Sequence, residues 1–336
     1  MRGAGSEDRS MKATAQAPAN IAFIKYWGKS DEVLRLPLND SFSMNLSGAY
    51  TTTTVEFSAS FVKDEITLLN GAFSEKEIAR VVKGLDRVRE RAGSKLFARV
   101  VTKNTFPKGA GSAASASGFA ALTVAGFSAL GIRLSEKELT IFSRLGSGSA
   151  CRSIPDGFVM WGKGNLNDTS YAYSLYPSTY WDLRDILVIV DRSMKKVSTT
   201  EGHKGVQSSP FWNNRSKAIP QRIDRILIAL KEKNFREFGE VIEEECLDMH
   251  HVMQTQVPPL MYWNDATKRI MNAVIAWRKK GLSVYFTIDA GPNVHLICEG
   301  QDEGRVRDAL KGVSGVEEII LNKPSKGAQI ISTHLF

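Results

Sequence analysis

The stretch that most restricts this chain is "FPKGAGSAASASGFAALTVAGFSALG", residues 106 to 131, where a glycine-rich opening runs into an alanine-rich, apolar helix. A loop that feeds a helix N-terminus gathers unbonded N–H groups and the positive end of the helix dipole at one point, which makes an anion site by construction. The same composition suits a helix that packs closely through small residues. The two readings are compatible.

Around this segment, strand and helix signals alternate from Lys12 onward without internal repeats or low complexity. "NIAFIKYWG" and "TTTTVEFSA" are β-rich, and "EITLLNG" ends in Asn70-Gly71, a tight-turn signal. "SEKEIARVVKGLDRVRERAG" has helical periodicity, with a capping box at Ser74 and Glu77 and a stop at Gly93. The strand "LFARVVTKN" follows, and "SEKELTIFSRLG" is a second capped helix. "GFVMWGKG" and "DLRDILVIV" return to strand. Residues 191 to 219 read as a polar crossover into a second domain, followed by helices near 220–234, 235–255 and 266–280. A strand pair around "VYFTIDAGPNVHLIC", a short helix and a last strand close the pattern. The class is α+β, and a length of 336 residues fits two domains.

A second anion signal is "GSGSACRSIPDG", where Gly146, Ser147, Gly148 and Ser149 stand directly before Cys151 and Arg152. Small residues let backbone N–H groups approach an anion, and hydroxyls and a guanidinium add directed donors. A flexible turn capping a helix has the same composition.

Composition narrows the function classes. The net charge of +8 attracts anions of every kind, but the basic residues are spread among acids, as in "RVVKGLDRVRER", and read as solvated helix faces. No RNA-binding signature, zinc-finger spacing or basic zipper is present, which argues against a nucleic-acid partner. Cys151, Cys246 and Cys298 lie far apart, are odd in number and make no metal-ligand spacing, so reduced thiols in a cytoplasm fit best. No apolar run approaches the roughly 20 residues of a membrane span, and the N-terminus lacks the apolar core of a signal peptide. Residues 1–10, "MRGAGSEDRS", read as a disordered extension.

"APANIAFIKYWGK" with "LPLNDSFSMNL" behind it, then "GSGSACRS", then "FTIDAGPN" resemble, in this order and spacing, the mevalonate diphosphate decarboxylases of the GHMP kinase superfamily. "KYWGK" and "GSGSACRS" are characteristic of that branch, while "PKGAGSAASASG" marks the wider superfamily. The resemblance implies a two-domain GHMP-kinase fold: an N-terminal ATP-binding mixed α/β domain over 11–190 carrying the glycine-rich phosphate loop, and a C-terminal ferredoxin-like α+β domain over 191–336. It implies ATP-dependent decarboxylation of 5-diphosphomevalonate to isopentenyl diphosphate through 3-phosphorylation, with ATP and Mg²⁺ as cofactors. Dimers are common in the family.

The resemblance also assigns residues. Asp289 matches the catalytic aspartate, placed to orient the 3-hydroxyl or take its proton. Arg152 would hold the substrate carboxylate, and Lys29 the reacting region. Tyr26, Ser147, Gly148 and Ser149, with Thr199 and Thr200 in the crossover, would meet the substrate and its phosphates. Lys108, Gly109, Ala110, Gly111, Ser112 and Ser115 would meet ATP. The usual consecutive serine pair is Ala114-Ser115 here, and no residue is assigned to a metal.

Where many relatives carry a basic residue after "KYWGK" this chain has Ser30, and where they carry serine then arginine it has Thr199 and Thr200. Each charge-assisted contact is worth on the order of 1.5–3 kcal/mol, so losing both favours a monophosphate substrate, phosphomevalonate, giving isopentenyl phosphate. Further alternatives are a GHMP small-molecule kinase that stops at phosphorylation, and a nucleic-acid binder that kept the fold. His250, His251 and His295 read as structural histidines, and Trp27 and Trp263 as packing anchors.

Overall fold

The computed structural model describes residues 11–107, 113–193 and 199–336. Its first half opens on β1 (Lys12–Ile24), whose side chains are all buried from Ala17 to Ile24. A small ladder of β2 (Lys29–Asp31) and β3 (Leu36–Pro37) follows, and then β4 (Ser41–Ser58), the longest strand. The half continues through β5 (Glu65–Leu68), α1 (Glu75–Ala92), β6 (Phe97–Asn104), α2 (Ala113–Ala129) and α3 (Glu136–Gly146). A 3₁₀ turn over Gly148–Ser153 then leads to β7 (Phe158–Trp161) and β8 (Ala172–Tyr176).

Helix ends sit where local chemistry puts them. Ser74 and Glu77 close a capping box on α1, with Gly93 left-handed at φ 65° after its end. Ser135 and Glu138 do the same for α3. β4 is the spine of the large sheet, pairing with β1 along its length, with β6 over residues 51–58 and with β7 over residues 41–44. β5 and β6 are parallel, with α1 as the crossover between them. α2 lies across β1 and β4, and its alanines let Ala15, Ala17 and Val55 pack directly beneath it.

The second half contains β9 (Leu183–Ile189), α4 (Thr199–Gly202), a 3₁₀ turn over His203–Ser208, α5 (Trp212–Glu232), α6 (Phe235–Thr255) and α7 (Asp265–Lys279). β10 (Val284–Thr287), β11 (Val294–Glu299), α8 (Glu303–Leu310), β12 (Glu318–Asn322) and β13 (Gln329–Ile331) complete it. A four-stranded antiparallel sheet has the order β10-β11-β9-β12. One of its faces packs on α5 and α6 through Leu187, Ile189 and Ile297, and the other on α7 and α8 through Ile186, Val188 and Leu296. The first of these cores also takes in Phe23 and Phe42 from the large sheet, with Phe23 and Phe238 edge to face at 5.0 Å.

Strand pairing crosses the division expected between residues 190 and 191 twice. β9 pairs with β11 and β12, while β13 returns to the outer edge of β1. The expected polar crossover over 191–219 is corrected at its end: α5 already begins at Trp212 and runs through Pro220. Its buried stripe is Arg215, Ile219, Arg222, Ile226 and Leu230, so two arginines stand at core positions where an apolar residue would have revealed the periodicity. Residues 1–10 lie outside the described residues.

Candidate active site

β1 ends by delivering a cation. After the buried run through Ile24 comes Lys25, itself 1% exposed, whose Nζ donates to Asp289 Oδ1 at 2.7 Å. Its backbone is held from three directions: the N–H donates to Glu245 Oε1 (3.1 Å), and the carbonyl accepts from Asn39 Nδ2 (3.0 Å) and Arg215 Nη2 (3.3 Å). Asp289 follows β10, and the residue before it is pinned to α6. Ile288 donates its N–H to Cys246 Sγ (3.2 Å), and its carbonyl lies 3.3 Å from His250 Nε2. Burial alone would raise the Asp289 carboxyl; Lys25, His295 and Arg152 outweigh it and hold the group below the ordinary aspartate range.

Arg152 sits in the 3₁₀ turn, 3% exposed. Its Nε and Nη2 donate to Asn20 Oδ1 (3.2 and 3.1 Å) and its Nη1 to Ser41 Oγ (2.9 Å). Both partners are neutral, so the guanidinium is fixed in place with its charge unspent. Asn20 in turn donates to Ser153 Oγ at 2.8 Å, tying β1 to the same turn. A Cβ on Gly148 would stand 2.7 Å from the Tyr26 ring, so only glycine allows this loop to close on β1's exit. The Tyr26 hydroxyl is buried with no hydrogen-bond partner among the described residues, and burial raises its ionisation well above the ordinary range, which keeps it a donor.

One cleft joins these residues to a second group. Its walls include Lys25, Tyr26, Lys29, Arg35, Arg80, Ser115, Ser147, Gly148, Ser149, Arg152, Thr199, His203 and Asp289. Ser115, in the first turn of α2, and Ser147 place their hydroxyl oxygens 3.2 Å apart. Lys29 Nζ bonds Glu32 Oε2 at 2.7 Å, and burial lowers its pKa. Arg35 is in a left-handed conformation at φ 53° in the turn between β2 and β3, with Nε donating to Leu145 O at 3.0 Å. Arg80 of α1 donates to Gly146 O (3.0 Å) and lies over Phe119; burial, with Arg35 nearby, lowers its pKa to about 10. The lining set therefore carries five Lys or Arg side chains and one carboxylate, a cleft for a polyanion.

The expected site residues Asp289, Arg152, Lys29, Tyr26, Ser147, Gly148, Ser149, Thr199 and Ser115 all line this cleft. Lys108, Gly109, Ala110, Gly111 and Ser112 lie outside the described residues, as does the Thr200 side chain. The lysine that touches Asp289 is Lys25, which sequence reasoning passed over. Its signal was a lone charge closing the apolar run "NIAFIK". Arg35, Arg80 and His203 also went unnamed, because only the tertiary fold brings them together. His295 reaches Asp185 (2.9 Å) rather than the cleft, His250 is buried and His251 exposed, and Trp27 packs with its Nε1 on Gln256 Oε1 (3.1 Å). Among the described residues no cluster of three or more His, Cys, Asp or Glu is placed to hold a metal, and no helix is long and apolar enough to cross a membrane.

This pair of sheets with the cleft between them is a two-domain GHMP-type architecture. A family model described as the diphosphomevalonate decarboxylase-like N-terminal domain matches residues 17–172, and the mevalonate 5-diphosphate decarboxylase C-terminal domain matches residues 186–331. The chain is 34% identical over 316 residues to a diphosphomevalonate decarboxylase of Candida albicans, covering 89% of this chain and 87% of that protein. It superimposes on the mevalonate diphosphate decarboxylase of Staphylococcus aureus with a TM-score of 0.91 at 37% identity, over 96% of this chain and 98% of that one. A structure of MDDEF in complex with MVAPP, AMPPCP and magnesium aligns with a TM-score of 0.90 at 37% identity, over 96% and 99% of the two chains. The chain belongs to the diphosphomevalonate decarboxylase family.

Proposed function

We propose that this protein uses ATP to phosphorylate the 3-hydroxyl of 5-diphosphomevalonate and decarboxylates the product to isopentenyl diphosphate. The contact that carries the reading is Lys25–Asp289 at 2.7 Å, beside Arg152, in a cleft with five cationic side chains and one acidic one. An ionised Asp289 accepts a hydrogen bond from the tertiary hydroxyl and aims its oxygen at the γ-phosphorus. Held low by Lys25, it is a weak base, which suits a loose phosphoryl transfer in which the proton leaves late. Once the 3-phosphate departs with the C–O electron pair, the C1–C2 pair becomes the new double bond and carbon dioxide leaves. Arg152 orients the carboxylate, and Tyr26 and the Ser147–Ser149 turn offer neutral donors to phosphate oxygens. Ser115 and Ser147 at the mouth of α2 offer the hard oxygen atoms that suit a nucleotide-borne Mg²⁺, whose chemistry is charge neutralisation across the transferred phosphoryl group.

A second reading, phosphomevalonate as substrate, is favoured by Ser30. It is exposed and donates to Leu36 O at 3.3 Å, so no cation enters the cleft from that position. Incubation with Mg-ATP and each mevalonate ester, with products identified by mass, tests both. Carbon dioxide with isopentenyl diphosphate is the expected result, and a preference above roughly tenfold for the diphosphate removes the monophosphate reading. A 3-phosphorylated product without carbon dioxide overturns both in favour of a kinase. The three cysteines, all buried and free, go with the cytoplasmic residence we infer, and the homodimer common in the family is checked by sedimentation.

A further inference from the structure

His203 has a place in the cleft that nothing so far explains. It opens the 3₁₀ turn after α4, is 3% exposed, and lies between the Tyr26 and Trp27 rings with both centroids at 4.5 Å. The backbone N–H of Gly28 donates to its Nδ1 at 2.7 Å. That bond fixes the tautomer: Nδ1 is the acceptor, so the proton is on Nε2. With Nδ1 taken and aromatic rings against it, the edge His203 offers to the cleft is the one carrying Nε2–H, which has no partner among the described residues.

The surroundings keep the ring neutral. A second proton on Nδ1 would face the Gly28 N–H, and burial together with Lys29 and Arg35 pushes the ionisation well below the ordinary histidine range. A neutral donor adds a hydrogen bond to an anion without adding repulsion among Lys29, Arg35 and Arg80 when the cleft is empty. Asp289, Lys25 and Arg152 influence one another at one part of the cleft, while Arg35 bears on Lys29, Arg80 and His203. Tyr26, acted on by both Arg35 and Arg152, stands between the two groups.

We propose that the Nε2–H of neutral His203 and the guanidinium of Arg35 bind the phosphate on carbon 5, supplying at this end of the cleft donors in place of the basic side chains that the sequence lacks at positions 30 and 200. The inference rests on the decarboxylase reading above.

The test is His203→Phe, which keeps an aromatic ring and removes the donor. The KM for the phosphorylated mevalonate is expected to rise on the order of 10- to 100-fold, with kcat and the KM for ATP within about twofold. Arg35→Gln is expected to act in the same way. An unchanged KM for the ester in both variants overturns the proposal. If His203→Phe does not fold, Arg35→Gln and the ring's ¹⁵N spectrum decide. A neutral Nε2–H tautomer in the free and ester-bound protein is expected, and an imidazolium or an Nδ1–H tautomer overturns it. Ester binding measured by calorimetry separates the two levels: absent turnover with an intact dependence of binding on His203 and Arg35 removes the decarboxylase reading alone.

Discussion

Between α5 and α6, Arg215, Arg222 and Arg225 meet Glu237, Glu244, Glu245 and Asp248, three guanidiniums against four carboxylates. In the cleft, Lys25, Lys29, Arg35, Arg80 and Arg152 stand around Asp289, and among the described residues the one other carboxylate bonded to them is the half-exposed Glu32, on Lys29. Both collections have a buried centre and both use arginine. The helical one is matched from within, with Glu245 fully buried and accepting from both Arg215 and Arg222. The cleft is matched only when a polyanion enters. Internal charge balance thus separates a cluster that holds the fold from one that waits for a ligand.

The comparison makes its largest demand on Asp289. Asp289→Asn should lower kcat by roughly 10³-fold or more while the urea midpoint moves little; similar losses of stability and activity would place Asp289 with the structural cluster. Glu245→Leu should do the reverse, leaving two buried guanidiniums without their acid. A loss of about 3–5 kcal/mol in denaturant unfolding is expected, with residual activity per folded molecule within about tenfold. Lys25→Met joins the two tests. It should cost roughly 10²-fold in kcat and move the acid limb of kcat/KM to higher pH. The sign follows from the pairing: Lys25 holds the Asp289 carboxyl down, so without it the group protonates at a higher pH and the ionised form is lost sooner. An unmoved limb would mean that another group sets it. The smallest effect is that of salt. Raising ionic strength from about 0.05 to 0.5 M should increase the KM for the substrate severalfold but leave the unfolding midpoint nearly unchanged.

Legibility from sequence followed the range of the interactions. The capping boxes at Ser74 and Ser135 span three residues each and were readable where they stand. α5 was half read because Arg215 and Arg222 are apolar-stripe positions only in the company of Glu245, some 30 and 23 residues on. The site divides in the same way. Asp289, Arg152 and the serine-rich turn carry motifs, whereas the bond from Lys25 to Asp289 spans 264 positions and the bond from Gly28 to His203 spans 175. No local pattern encodes such pairs. The resemblance supplied the motif residues, and the tertiary fold supplied the ones between them.

The return of β13 to β1 has a practical consequence for anyone dividing this protein. Thr14, Ala15 and Gln16 are opposite Ile331, Ile330 and Gln329, so the outer rim of the large sheet is sealed by the far end of the chain. A fragment cut after β8 would expose that rim as a bare row of amide and carbonyl groups, ready to recruit a strand from another molecule. Separate expression of the first half should therefore yield aggregates, and appending a peptide with the sequence of residues 326–336 should slow their growth without abolishing it, because Phe23 and Phe42 have also lost α5 and α6.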